Sequence, residues 1–339
     1  MNFKVLLKKE EDADATRIYI DVIKDAITEA FGVENIKKVY SVSDVAADDI
    51  LIIISPQVIL KNRQFLKPRQ KFIFWFQGVV PEEIVYLYGN MYARIKAAIF
   101  NRTEGFVLRK AQLIFFVSEK LRQHYKSKHR YNSDNYIIMP CFNQSIDESC
   151  FTASKYEKPT FVYAGNMSKW QCVDESIGLF SKIKEKLPEA NLTILTADQA
   201  EARTLLSKHN IEAEIKYVPL DKLSVEMGKY KYGFLLRDDI LINNVATPTK
   251  MNSYMASGVI PVFSDVIGDF KDVFSSLKHI VICGKDDYSG SLEQILKIEE
   301  QGVNAGEVLN EYRGIFNTYY NRDLYITGIA EKLKEVFPQ

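Results

Sequence analysis

YGFLLRDDILINNVATPTKMNSYMASGVIPVF, residues 232–263, carries the clearest architectural signal in this chain. Its first five residues, 232–236, are an unbroken apolar run, which predicts a strand buried on both faces. Arg237 follows at the carboxyl end of that strand, where open α/β sheets place their ligand contacts. Thr247 and Pro248 predict a helix over 248–257, with Thr247 as N-cap and Pro248 in the first helical position. Gly258 predicts its end, and residues 259–263 the next strand. Lys250 breaks a local rule: it sits in the first helical turn, where the helix dipole disfavours a cation. A lysine, an arginine and free helix N–H groups meeting at one place call for an anion, and phosphate or pyrophosphate fits best. The competing reading sends Lys250 to solvent and pairs Arg237 with Asp238 or Asp239.

The same alternation runs along the rest of the chain. Strands are predicted over 3–7, 36–40, 50–54, 71–76, 113–117 and 136–139, with helices over 15–31, 91–108 and 119–129. After Pro140, residues 140–158 are polar and without periodicity. A second series follows, with strands over 160–164, 192–196, 215–218, 232–236, 259–263 and 280–283. Its helices are predicted over 173–186, 199–209 and 248–257, and from about 288 onward. Such series predict two doubly wound α/β domains, with a ligand site in the cleft between them. The expected boundaries are an N-terminal domain over 1–145, a connection over 146–158 and a C-terminal domain over 159–315. A last helix over 316–339 is expected to pack back on the first domain.

A length of 339 residues agrees with two domains. Lys and Arg number 44, as do Asp and Glu, so the formal charge is zero. That zero is a cancellation. Residues 1–60 carry net −4, residues 61–130 net +11 and residues 131–339 net −7. The basic block comprises Lys61, Arg63, Lys67, Arg69 and Lys71, then Arg94, Lys96, Arg102, Arg109 and Lys110, then Lys120, Arg122, Lys126, Lys128 and Arg130. Apolar side chains such as Tyr88, Met91, Tyr92, Ile95 and Ile99 are interleaved with it. The block reads as a solvated helical face or as a docking face for anionic phospholipid. No nucleic-acid partner is expected, since no recognised motif accompanies it.

Cys141, Cys150, Cys172 and Cys283 lack CxxC spacing and read as free thiols in a reducing compartment. Asp12-Ala13-Asp14 matches a DxD metal motif, but before a helix it reads as an acidic first turn. The apolar run Val5–Leu7 is too short for a signal-peptide core. No apolar stretch reaches the ~20 residues needed to span a bilayer. The expected location is cytoplasmic, peripheral on the inner face of the membrane.

In the first half, KFIFWFQGVVPEE (71–83) reads as a strand followed by a polar turn. Gln77 falls at the strand end, Gly78 allows close backbone approach, and Glu82 and Glu83 follow in the turn. The bland reading makes Pro81-Glu82-Glu83 a favourable first helical turn. Ser118 reads as a ligand-facing position or as a helix cap.

With these residues in view, the chain resembles the group 1 (GT4-like) GT-B glycosyltransferases of the surface and capsular polysaccharide type. The resemblance rests on Asn243/Asn244-Val245-Ala246-Thr247-Pro248-Thr249-Lys250 and on Ala256-Ser257-Gly258-Val259-Ile260-Pro261-Val262. Phe161–Trp170 and, more weakly, Ile137–Phe142 add to it. It implies a GT-B fold, two Rossmann-like domains facing a central cleft. It also implies a nucleotide-diphosphate-sugar as donor, no obligatory cofactor or metal, and a glycan or lipid-linked glycan acceptor. By resemblance, transfer is retaining. Arg237 and Lys250, with Glu82 and Glu83 across the cleft, are the candidate catalytic residues. Donor contacts are expected from Gly165, Asn166, Lys169, Arg237, Asn243, Asn244, Thr247, Pro248, Thr249, Lys250 and Ser253. The chain departs from the family at two glutamate positions, which carry Val245 and Ser253. That departure keeps open a non-catalytic relative that binds nucleotide or glycan, or another nucleotide-sugar enzyme such as an epimerase.

Overall fold

The computed structural model describes residues 1–9, 14–62, 70–284 and 288–338. They form two compact units, one of Met1–Pro140 with Asn321–Gln339 and one of Cys141–Tyr320.

The first unit is a six-stranded parallel sheet. Its elements run β1 (Asn2–Leu6), α1 (Asp14–Phe31), β2 (Lys37–Val39), β3 (Asp49–Ile53), α2 (Pro56–Asn62), β4 (Lys71–Phe76), α3 (Val80–Tyr88), α4 (Met91–Lys110), β5 (Leu113–Phe116), α5 (Glu119–His129) and β6 (Tyr136–Ile138). The strand order is β2-β1-β3-β4-β5-β6. Every residue of β3 (DILII) and β5 (LIFF) is buried, as expected for strands covered by helices on both faces. The chain reverses direction across the sheet between β1 and β3, so the carboxyl ends of these strands form a switch point.

The second unit repeats the plan. It runs β7 (Thr160–Ala164), α6 (Val173–Lys186), β8 (Asn191–Leu195), α7 (Gln199–Lys208), β9 (Glu214–Lys216), α8 (Leu220–Met227), β10 (Tyr232–Leu235), α9 (Leu241–Asn244), α10 (Thr249–Ala256), β11 (Ile260–Ser264), α11 (Phe270–Phe274), β12 (Val281–Cys283), α12 (Tyr288–Gln301) and α13 (Ala305–Phe316). The order is β12-β11-β10-β7-β8-β9, with the switch between β7 and β10. Gly233 in β10 is what lets α10 lie on the sheet: a Cβ there would come within 2.7 Å of the Tyr254 ring. The last helix, α14 (Arg322–Val336), belongs to the first unit, where Arg322 pairs with Asp25 of α1.

Both sheets have the expected parallel doubly wound form, and most strand bounds differ from the sequence reading by one residue. Two differences carry weight. Residues 146–158, expected as a connection, fold onto the second unit. Asp147 N donates to Ala256 O (2.8 Å), Tyr156 Oη to Gly258 O (2.7 Å) and Lys155 Nζ to Ser257 O. Residues 80–88, read as a polar turn with a first helical turn at Pro81-Glu82-Glu83 as the alternative, form the helix α3, with Val79 as N-cap and Glu82 and Glu83 in its first turn as that alternative has it. Its apolar residues lie on both faces, which hides the helical period. No helix among the described residues is long and apolar enough to cross a membrane.

Candidate functional site

In the second unit the chain leaves β10 through Leu236 into Arg237. The Arg237 backbone N–H donates to Ser264 Oγ (2.8 Å), and its Nη1 donates to Leu236 O (2.8 Å) and to Gln171 O (3.3 Å). The guanidinium is buried. Lys250 enters from the first turn of α10. Its Nζ donates to Gln171 Oε1 (3.2 Å) and lies 4.1 Å from the centroid of the Tyr163 ring. Two cations from different elements therefore share the two carbonyls of one glutamine. Among the described residues no carboxylate pairs with either, so the expected alternative of Arg237 with Asp238 or Asp239 does not occur.

The electrostatics follow. Burial, then the neighbouring guanidinium, holds the Lys250 ammonium well below its ordinary range. Burial lowers Arg237 as well. Uncompensated positive charge of this kind is costly in a folded protein unless an anion neutralises it. The start of α10 adds to the demand, because no side chain caps it and its first N–H groups are left for a ligand. Thr247, expected as the N-cap, instead accepts a hydrogen bond from Cys141 N (3.0 Å), and Pro248 occupies the cap position.

A cavity of about 380 Å³ opens beside this pair. Gly165, Asn166, Thr249, Lys250 and Ser253 line it, together with Asn143. Further out lie the ends of β8 and β9, with Asp198 and Tyr217. The cavity thus sits at the carboxyl ends of the strands, beside the β7/β10 switch point. Gly165 has φ +148°, and a Cβ there would stand 3.1 Å from Lys250 Nζ. Its bare backbone is what leaves room next to the ammonium.

Other expected contacts lie elsewhere. Lys169 is exposed on a 3₁₀ turn and is not part of the cavity lining. Asn243 Nδ2 donates to Asp238 O (2.9 Å) and Asn244 Nδ2 to Asp239 Oδ1 (2.8 Å), so both amides brace their own loop. Val245 is buried and apolar. Three contributors were missed from sequence. Gln171 bridges the two cations. Asn143 lines the cavity, with its Oδ1 accepting from Ser253 Oγ (3.2 Å). Asn252 holds Asn143 in place, its Oδ1 accepting from the backbone N–H groups of Asn143 and Gln144 (both 2.9 Å). Their signal is only long-range, since each pair is brought together by the fold.

The first unit has its own cavity, about 420 Å³, at the ends of β3 and β4, lined by Thr16, Ser55, Gln77, Gly78 and Glu83. Glu83 and Glu82 are neighbours with opposite environments. Burial raises the Glu83 carboxyl, and the charges of Glu82 and Glu104 add to this. Burial also works against ionisation of Glu82, but hydrogen bonds from His124 and Lys128 win and hold it at about 2. Glu82 lies 2.8 Å from Lys128 Nζ and 3.4 Å from His124 Nε2 and does not line this cavity. Behind them the fully buried Glu104 accepts from Tyr125 Oη (2.9 Å) and Lys128 Nζ (2.9 Å). Of the two candidate carboxylates, only Glu83 lines this cavity, and only its proton affinity is raised. Ser118 is a helix cap: its Oγ accepts from Leu121 N (2.9 Å). Asp12 and Ala13 of the DxD triplet, and Arg63, Lys67 and Arg69 of the basic block, lie outside the described residues. Among the described residues, no group of three or more His, Cys, Asp or Glu side chains could hold a metal ion.

No protein-family profile and no curated protein sequence matches this chain. Solved structures do. HepE from Anabaena, in complex with UDP, is 12% identical over 99% of this chain and 100% of its own, with a TM-score of 0.72. Sucrose-phosphate synthase from Thermosynechococcus elongatus is 10% identical over 99% of both chains, with a TM-score of 0.71. TarM from S. aureus, in complex with fondaparinux, alpha-GlcNAc-glycerol and UDP, is 14% identical over 87% of this chain, with a TM-score of 0.61. The chain spans 56% of the length of that TarM chain. These likenesses establish the fold as GT-B, with two parallel α/β units.

Proposed function

We propose that this protein is a glycosyltransferase that moves a sugar from a nucleoside-diphosphate sugar to a hydroxyl of a glycan acceptor. The observation that carries the reading is the Arg237–Lys250 pair, two cations on one glutamine with no carboxylate partner, beside a cavity at a topological switch point. A diphosphate supplies the missing negative charge. The UDP in the HepE and TarM crystals supports a nucleotide in this fold.

In the reaction, the bond between the sugar's anomeric carbon and the diphosphate oxygen breaks. A bond from that carbon to the acceptor oxygen forms. Charge builds on the departing phosphate, and Lys250, Arg237 and the open N–H groups of α10 stabilise it where it develops. In a retaining transfer the departing phosphate oxygen takes the acceptor proton, so no strong base is needed. An inverting transfer would need one, and Glu83 is the side chain suited to it. The two side-chain cations stand where a divalent metal would otherwise balance the diphosphate, so no obligatory metal is part of the reading. Asn143, Ser253 and Tyr217 line the rest of the donor cavity, and the cavity beside Gln77 and Glu83 takes the acceptor. The acceptor is a lipid-linked glycan, and the basic block of residues 61–130 rests on anionic lipid at the inner face of the membrane.

Thermal-shift screening against UDP-, GDP-, dTDP- and CMP-sugars, coupled to an assay of nucleotide release, tests the reading. Stabilisation by at least one nucleoside-diphosphate sugar, with release of its diphosphate on addition of glycan acceptor, is the expected result. No shift with any of them contradicts it.

A further inference from the structure

α4 has two apolar faces. Ala93, Ala97, Phe100 and Val107 are buried, and Phe100 and Ala93 form a small core with Ile84 of α3. On the opposite side Met91, Tyr92, Ile95 and Ile99 point outward, with Met91 76% and Tyr92 74% exposed. At 100° per residue these four fall within an arc of about 100° centred opposite the buried face. Tyr88 and Val85 of α3 are also exposed. This is a continuous ridge, unlike the scattered single apolar residues of an ordinary surface.

The charges around the ridge are of one sign. No Asp or Glu occurs between Glu83 and Glu104, while Arg94, Lys96 and Arg102 are exposed there. On the wheel Arg94 falls about 60° to one side of Met91 and Lys96 about 40° beyond Tyr92, so these two flank the ridge, while Arg102 falls within its arc, less than a turn past Ile99. Long basic side chains beside an apolar face reach phosphate groups while their helix lies at the level of the lipid headgroups. A groove of about 550 Å³ between α3 and α4 is lined by Pro81, Val85, Ala97 and Ala98 and by the Glu82–Lys128 ion pair, whose carboxylate is thus matched. With three cations around its exposed face, α4 is suited to lie in the interface and not to span.

We infer that the α3–α4 hairpin is a membrane-insertion element, which seats Met91, Tyr92, Ile95 and Ile99 in the interface of an anionic bilayer. The inference rests on the membrane reading of the basic block and assigns the contact to one hairpin. Co-sedimentation with vesicles of phosphatidylcholine alone, or of phosphatidylcholine with phosphatidylglycerol, tests it. The native chain is expected to bind the anionic vesicles at least tenfold better. The double variant Ile95→Glu/Ile99→Glu should lose at least tenfold in binding with an unchanged melting temperature, since both side chains are exposed. Arg94→Glu/Lys96→Glu should weaken binding and flatten its salt dependence. A Tyr92→Trp reporter should shift its emission to the blue on anionic vesicles. Lys250→Ala should leave vesicle binding unchanged, so failure of the donor reading shows in nucleotide titration alone. Three results would each overturn the inference: undiminished binding by Ile95→Glu/Ile99→Glu, no shift of the Tyr92→Trp reporter, or a ridge variant that only dissociates an oligomer and points to a second copy of the chain.

Discussion

The two units of this molecule treat buried charge in opposite ways. In the second unit Arg237 and Lys250 have no carboxylate partner among the described residues, and burial lowers the proton affinity of both, with the guanidinium adding to the effect on Lys250. In the first unit the carboxylates of Glu82 and Glu104 both meet the Lys128 ammonium, and Glu82 is held at about 2. A compensated network holds structure together, whereas an uncompensated pair is a demand for a ligand. The contrast predicts that removing a member of the first costs stability and removing a member of the second costs affinity.

The largest effect should come from the first unit. Glu104→Ala leaves Lys128 with Glu82 alone and the Tyr125 hydroxyl with Gly78 O alone, and should cost about 3 kcal/mol of stability. Urea melts would show it, and affinity for a nucleoside diphosphate should not change. Next, Lys250→Ala should weaken that affinity by about 100-fold, near the upper end for a charge-assisted hydrogen bond. The unliganded protein should melt at the same temperature or higher, because the lost charge was buried without a carboxylate partner. A drop of several degrees in both variants would erase the distinction between the two units.

A third effect is a pH dependence of opposite sign for stability and for binding. Folding lowers the proton affinity of Lys250, so the unfolded chain binds more protons between the depressed value and the ordinary lysine range near 10.4. Unliganded stability should therefore rise with pH across that window. A bound diphosphate restores the ammonium, so its affinity should fall with pH over the same window. Calorimetry in two buffers of different ionisation enthalpy would reveal the proton uptake. The smallest effect is on Glu83. With a retaining transfer, Glu83→Gln should slow turnover by less than about tenfold, whereas a general base would lose 10²–10⁴-fold.

The contrast also explains what could be read in advance. The strands were legible because residues such as Ile50–Ile53 and Leu113–Phe116 are buried on both faces and carry unbroken apolar runs. Lys250 was legible because a cation in a first helical turn violates a local preference, and such violations concentrate at functional sites. Gln171 was not, since it meets Lys250 across 79 residues of chain, and Asn252 meets the backbone of Asn143 across 109. The exposed ridge of α4 was equally hidden. Sequence shows interleaved apolar and basic residues, but only packing tells which apolar face is buried.

The central claim is that the Arg237–Lys250 pair is a phosphate site. Isothermal titration of the best-stabilising nucleoside diphosphate against its own nucleoside, in the native chain and in Lys250→Met, tests it most directly. The account predicts a preference for the diphosphate of at least 100-fold in the native chain, shrinking to within a few-fold in the variant. An equal preference in both proteins would contradict it.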